Sequence, residues 1–194
     1  FSSSKHQGQR FKVIFNIFIL AMFAALIFQI SASAKNEEPI NWSSEESISA
    51  HIEIKNDAEN GEITYGPNFA LSNKDLSENF SDIYLMRIVD LQGADHYTIF
   101  ISARYNDTDW RSYKTAVNAQ GNKNLPLSVL SKTKISCSEQ ICQYEEKLAI
   151  PLNFLYFFDG SVSGLNITVK GKKSHQILIP ATYFKAMLNS IQEE

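Results

Sequence analysis

The sequence lacks most of what announces a chemistry. It holds two cysteines and four histidines in 194 residues. No G-x-S-x-G, S-x-x-K, phosphate-cradling glycine loop or zincin pattern occurs, so nothing in the sequence assigns a catalytic, cofactor-binding or metal-binding residue. Three of the histidines, His51, His96 and His175, are scattered, with no spacing that would place two ligands on one element. There is no βαβ rhythm, which argues against a doubly wound nucleotide-binding fold. There is no low-complexity tract and no internal repeat that aligns. Acidic residues are missing from the whole N-terminal stretch, the first being Glu37.

That stretch carries the strongest signal. Lys5, Arg10 and Lys12 precede an unbroken apolar run from Ile17 to Phe28, and Ala32-Ser33-Ala34 follows. A basic segment, a short apolar segment and a small-x-small exit are the three parts of a secretory signal peptide. Residues 1–34 are therefore expected to be a cleaved leader, with the protein working in the periplasm or secreted. The alternative is an uncleaved N-terminal anchor. Val13 to Ile30 is just long enough to span a bilayer, with the basic residues on the inner side. Asn16 and Gln29 shorten the apolar core, which favours cleavage. No cysteine stands at the exit, which argues against a lipoprotein anchor. The first residue is Phe1 rather than Met, so the true start is expected upstream.

Beyond residue 34 the chain carries 15 basic against 21 acidic residues, a net charge of −6. Such a balance argues against nucleic acid or anionic lipid as partner. Membrane contact is expected only if the leader is retained. The expected partner is a protein of the cell envelope. Lys35 to Ser47 is polar and reads as a spacer, and residues 48–194 read as one β-rich domain.

Within that domain, Ile48, Ala50, Ile52 and Ile54 alternate with polar residues and predict a strand. Glu62 to Tyr65 could pair back on it. Ser72 could cap a short helix. Ile83 to Leu91 and His96 to Tyr105 predict a long hairpin, joined at Gln92 to Asp95. Trp110 to Val117 and Leu125 to Leu130 predict shorter strands. Pro151 to Phe158 predicts a buried helical turn or a plug over a sheet edge, ending at Asp159-Gly160. Leu165 to Val169 and His175 to Ile179 alternate again. Pro180 then starts a helix whose Phe184, Met187, Leu188 and Ile191 share a face. Short strands with one terminal helix predict an antiparallel β-sandwich or partly open barrel.

Lys132 to Cys137 and Cys142 to Leu148 predict two strands joined at Ser138 to Ile141, and the two cysteines are expected to form a disulfide in an oxidising compartment. Asn106 to Asp109 concentrates oxygen ligands but reads as a turn rather than a calcium loop. Arg104, Trp110, Arg111 and Tyr113 gather near that turn. Aromatics beside arginine could bind a small ligand, sugar or peptide; core packing with arginine stems laid over it is the other reading. Glu145 and Glu146 point to opposite faces of a strand, and Glu146 is expected to face inward in an ion pair with an arginine.

The segment Trp110-Arg111-x-Tyr113-x-x-Ala116, Gly121, Cys137-x4-Cys142-x-Tyr144-Glu145, Gly164-Leu165 and Ile179-Pro180-x-x-Tyr183 resembles a family of uncharacterised exported proteobacterial proteins. The resemblance implies a small β-sandwich of the cell envelope. It adds no catalytic residue.

Overall fold

A computed structural model describes residues 39–190, apart from 59, 60 and 121. The predicted leader and Ile191 lie outside the described residues.

Among the described residues ten antiparallel strands form two sheets. The first has six strands in the order β1 (Glu53–Asp57), β2 (Gly61–Tyr65), β3 (Asp82–Val89), β4 (Asp95–Asp107), β8 (Ile141–Leu152), β7 (Ser128–Ser138). The second has four, in the order β10 (Ser174–Ile179), β9 (Leu165–Lys170), β5 (Thr115–Asn118), β6 (Lys123–Leu125). Among the described residues four short α-helices accompany them, α1 (Glu45–Ser49), α2 (Lys74–Ser77), α3 (Phe154–Ser163) and α4 (Ala181–Asn189), with a 3-10 turn at Phe69–Ser72. The sandwich is the realised alternative, and no barrel closes. No helix among the described residues is long and apolar enough to cross a membrane.

The β3–β4 hairpin runs in register from Asp82 opposite Ser102 to Val89 opposite Asp95, as the alternation predicted. Ile83 and Leu85 face Ile99 and Ile101 in the core, together with Leu148 and Ile150 of β8. The second sheet adds Ala116, Leu125, Leu165, Ile167, Val169, Ile177 and Ile179. β4 is buried on both faces from Tyr97 to Ala103, Thr98 and Ser102 included.

Three local expectations are corrected. Ile48 to Lys55 is not one strand. Ser44 accepts a hydrogen bond from the Ser47 amide, and Glu45 and Glu46 follow it in the first turn, so a helix forms there. Ile48 is fully buried while Ile54 is exposed, so the alternation did not mark one wet face. Nor do residues 39–47 hang free as a spacer. The Trp42 ring meets Phe69 at 4.9 Å and Tyr183 at 5.4 Å, and Thr182 Oγ1 donates to the Trp42 carbonyl at 2.6 Å. The compact unit thus begins at Pro39. The small helix near residue 75 is capped by Asn73, not Ser72, through the Leu76 amide at 2.9 Å.

The stretch from Pro151 also differs. β8 continues through Pro151, opposite Thr98, to Leu152. Asn153 then caps α3, accepting from the Tyr156 amide at 2.9 Å. Gly160 lies inside the helix instead of ending it. A Cβ there would stand 2.8 Å from the Phe184 ring, so glycine is what lets α3 close onto α4. In α4 the Tyr183 hydroxyl donates to the Pro67 carbonyl at 2.5 Å and accepts from the Leu85 amide at 3.2 Å. Phe184, Ala186 and Met187 are fully buried, and Leu188 is half-buried.

Candidate functional site

Glu146 organises one end of the sandwich. Cross-strand register puts it opposite Ala103 on β4 and opposite Lys132 on β7. Tyr105, two residues beyond Ala103, is then its diagonal neighbour. Glu146 is fully buried and takes four donors: the Tyr105 hydroxyl, the Ser112 amide at 2.8 Å, the Tyr113 amide at 3.2 Å, and Lys132 Nζ at 3.0 Å. The inward placement expected of Glu146 is found, but its cation is Lys132, not an arginine.

Two of those donors come from the link between β4 and β5. Trp110 to Lys114 is a strap, not the first half of a strand. Ser112 adopts φ +53°, a left-handed conformation, and the successive Ser112 and Tyr113 amides converge on one carboxylate. The Lys172 amide donates to the Arg111 carbonyl at 2.6 Å, and the Lys114 amide to the Lys170 carbonyl at 3.0 Å, tying the strap to the β9–β10 turn.

The four residues singled out for ligand binding separate into two places. Trp110, Arg111 and Tyr113 lie on the strap. The Trp110 ring rests 4.5 Å from Tyr144. Tyr113 is 1 % exposed and Arg111 is 7 % exposed. The Arg111 guanidinium stacks over the Tyr105 ring at 4.1 Å. Its Nη1 donates to Asn79 Oδ1 at 2.9 Å, to His175 Nε2 at 3.3 Å and to the Tyr113 hydroxyl at 3.4 Å. Arg111 Nε stands 3.6 Å from Asp107 Oδ2. Arg104 lies elsewhere, on the outer face of the six-stranded sheet, with Nη2 2.6 Å from Glu145 Oε1. Lys147 Nζ lies 3.5 Å from the other Glu145 oxygen. Burial raises the Glu145 pKa, but Arg104 and Lys147 outweigh it and hold the group below the ordinary carboxylate value.

These polar groups already serve one another. Burial, then the hydrogen bond to Glu146, pushes the Tyr105 phenol well above its ordinary value. Burial, then Arg111 and Lys173, lowers His175. Asp107 pairs with Lys173 at 2.6 Å and Asp109 with Lys172, so the oxygen-rich turn is closed by lysines. Among the described residues no group of three His, Cys, Asp or Glu side chains could hold a metal. The sulfurs of Cys137 and Cys142 lie at disulfide distance, with Cα atoms 4.0 Å apart at the tip of the β7–β8 hairpin.

A different feature faces solvent. On α3, Phe154, Leu155, Phe158 and Val162 are 52, 69, 49 and 71 % exposed. Their spacing puts them on one side of the helix, while Phe157, Gly160 and Ser161 face the core. The four side chains present roughly 400 Å² of apolar surface, within the range of the largest patch on a monomer. A cavity of about 280 Å³ adjoins this face, lined by Val162, Tyr156 and Asp159 of α3 and by Asn118 and Gln120. The apolar run predicts a buried helical turn or a plug over a sheet edge, whereas Phe154, Leu155 and Phe158 face solvent. Two helical faces, one inward and one outward, are superimposed in the stretch Phe154-Leu155-Tyr156-Phe157-Phe158.

Comparison with protein-family models, with curated proteins and with solved structures returned no match.

Proposed function

We propose that the chain is exported, loses residues 1–34, and acts in the cell envelope as a non-enzymatic protein-interaction module that docks through the outer face of α3. The carrying observation is that face. Four large apolar side chains lie together in water on a helix whose other side is fully used in the core. Contiguous patches of this kind serve protein contacts. The basic, apolar and small-x-small order of residues 1–34 supports export. The donors that surround the buried Glu146 carboxylate support a structural role for it and for Tyr105.

The test is retention of envelope proteins by the purified domain and by its Leu155→Asp and Phe158→Asp variants, read by mass spectrometry. A protein held saturably by wild type and lost with both variants, at unchanged melting temperature, is the expected result. Retention of the same proteins by all three would overturn the reading. So would concentration-dependent dimerisation or binding to neutral lipid vesicles that both variants abolish, since either assigns the face to another occupant.

A further inference from the structure

A sandwich of two open sheets has four edge strands, here β1, β7, β10 and β6. Exposed edges invite pairing, and proteins protect them with charge, bulges or brevity. Three of these four are protected. β1 carries Glu53 and Lys55, both exposed. β7 carries Lys132 and Lys134 and two register shifts, at Val129/Ser131 and Lys134/Ser136. β6 is three residues long and begins at Lys123. The fourth, β10, reads Ser-His-Gln-Ile-Leu-Ile. It has no formally charged residue and pairs with β9 over all six positions without a shift.

In an antiparallel pair, alternate residues turn both amide and carbonyl away from the partner. No hydrogen bond among the described residues takes up that outer side of β10. The strand is bordered instead by a groove of about 340 Å³, walled by Asn73, Leu76, Asn79 and Phe80 on one side and by His175, Gln176 and Leu178 on the other. Leu178 is 65 % exposed there. The two walls are fixed to each other. Arg111 Nη1 donates to Asn79 Oδ1 of one wall at 2.9 Å and to His175 Nε2 of the other at 3.3 Å. The groove is therefore shaped before anything enters it, which lowers the ordering cost of binding. Its one formal charge is the carboxylate of Asp75, so it disfavours acidic guests.

We propose that the β10 edge takes up an extended, non-acidic peptide segment as an added strand. The unpaired amides and carbonyls supply the main-chain contacts, and the groove beside α2 receives alternate side chains, as in strand-addition recognition generally. This site is separate from the α3 face and does not depend on it.

The probe is a blocked hexapeptide alternating threonine and valine, titrated into the isotopically labelled domain and followed by amide resonances. Expected are saturable shifts confined to residues 174–179 and to Asn73 and Asn79. Methylating alternate peptide amides, replacing the threonines by glutamate, or introducing Leu178→Lys should each weaken binding at least tenfold. Leu178 is exposed, so that variant keeps its fold, checked by its unchanged spectrum elsewhere. Absence of shifts up to millimolar peptide would overturn the proposal. So would shifts centred on β7 or β1, or undiminished binding to Leu178→Lys. A concentration-dependent dimer with protected β10 amides would replace the peptide with a second copy of the chain.

Discussion

Glu146 shows how a residue that resembles catalytic equipment can be architectural. Its carboxylate sits under the strap, and each oxygen takes one donor from a strand side chain and one amide from the strap itself. Glu146→Gln keeps the shape but turns an N–H toward donors. We expect it to destabilise the fold by about 1–3 kcal/mol, the cost of leaving a buried polar group unmatched. Denaturant unfolding measures this; wild-type stability would show that the network carries no weight. His175 gives a pH signature. Burial first, then Arg111 and Lys173, lowers its folded pKa below 6.5, so the unfolded chain takes up the proton first. Its contribution to stability is complete above about pH 6.5 and is lost as pH falls through that value toward the lower folded one. His175→Gln retains an acceptor for Arg111 and should flatten this part of the stability curve. An unchanged slope over that window would contradict the assignment.

At the scale of elements, the C-terminal helix tests how packing ranks its residues. Met187 is fully buried and Leu188 half-buried. Met187→Ala should cost about 2–5 kcal/mol and Leu188→Ala clearly less. Equal costs in thermal or denaturant unfolding would mean that the helix sits differently. Hydrophobic period was enough to place this helix and the β3–β4 hairpin, because each carries a regular apolar face, even though β4 is covered on its other face as well. It passed over Tyr183 and Ala186, although both are fully buried, because a phenol and a methyl add little to an apolar count. Gly66 marks the same contact from the other side: a Cβ there would stand 2.2 Å from the Tyr183 hydroxyl. The strap was illegible for another reason. What holds Ser112 and Tyr113 is a carboxylate more than thirty residues away, and local alternation contains no trace of it. The helix α1 was missed because a chance alternation of isoleucines outweighed a serine cap and two acids in the sequence pattern, whereas docking against α4 decides the structure.

For the molecule as a whole, the division between core and surface is the functional argument. The two sheets and α4 enclose one apolar core, and in the end cluster from Tyr105 to His175 the polar groups are bonded to one another, apart from Arg111 Nε, which faces Asp107 at 3.6 Å. Of the residues first singled out, Arg111 and Tyr113 meet in that cluster, Trp110 packs beside it on Tyr144, and Arg104 lies apart on the outer face beside Glu145. Four of the exposed apolar side chains lie together on α3. The central claim is that α3 meets a protein partner in the envelope. The most direct measurement is photo-crosslinking in living cells, with a photoreactive residue replacing Leu155 and, as control, Ile141, which is 55 % exposed on the cysteine hairpin. The account predicts a discrete adduct with one other protein from position 155 and none from position 141. Equal labelling from both positions, or no protein adduct at 155 in correctly exported chain, would contradict it.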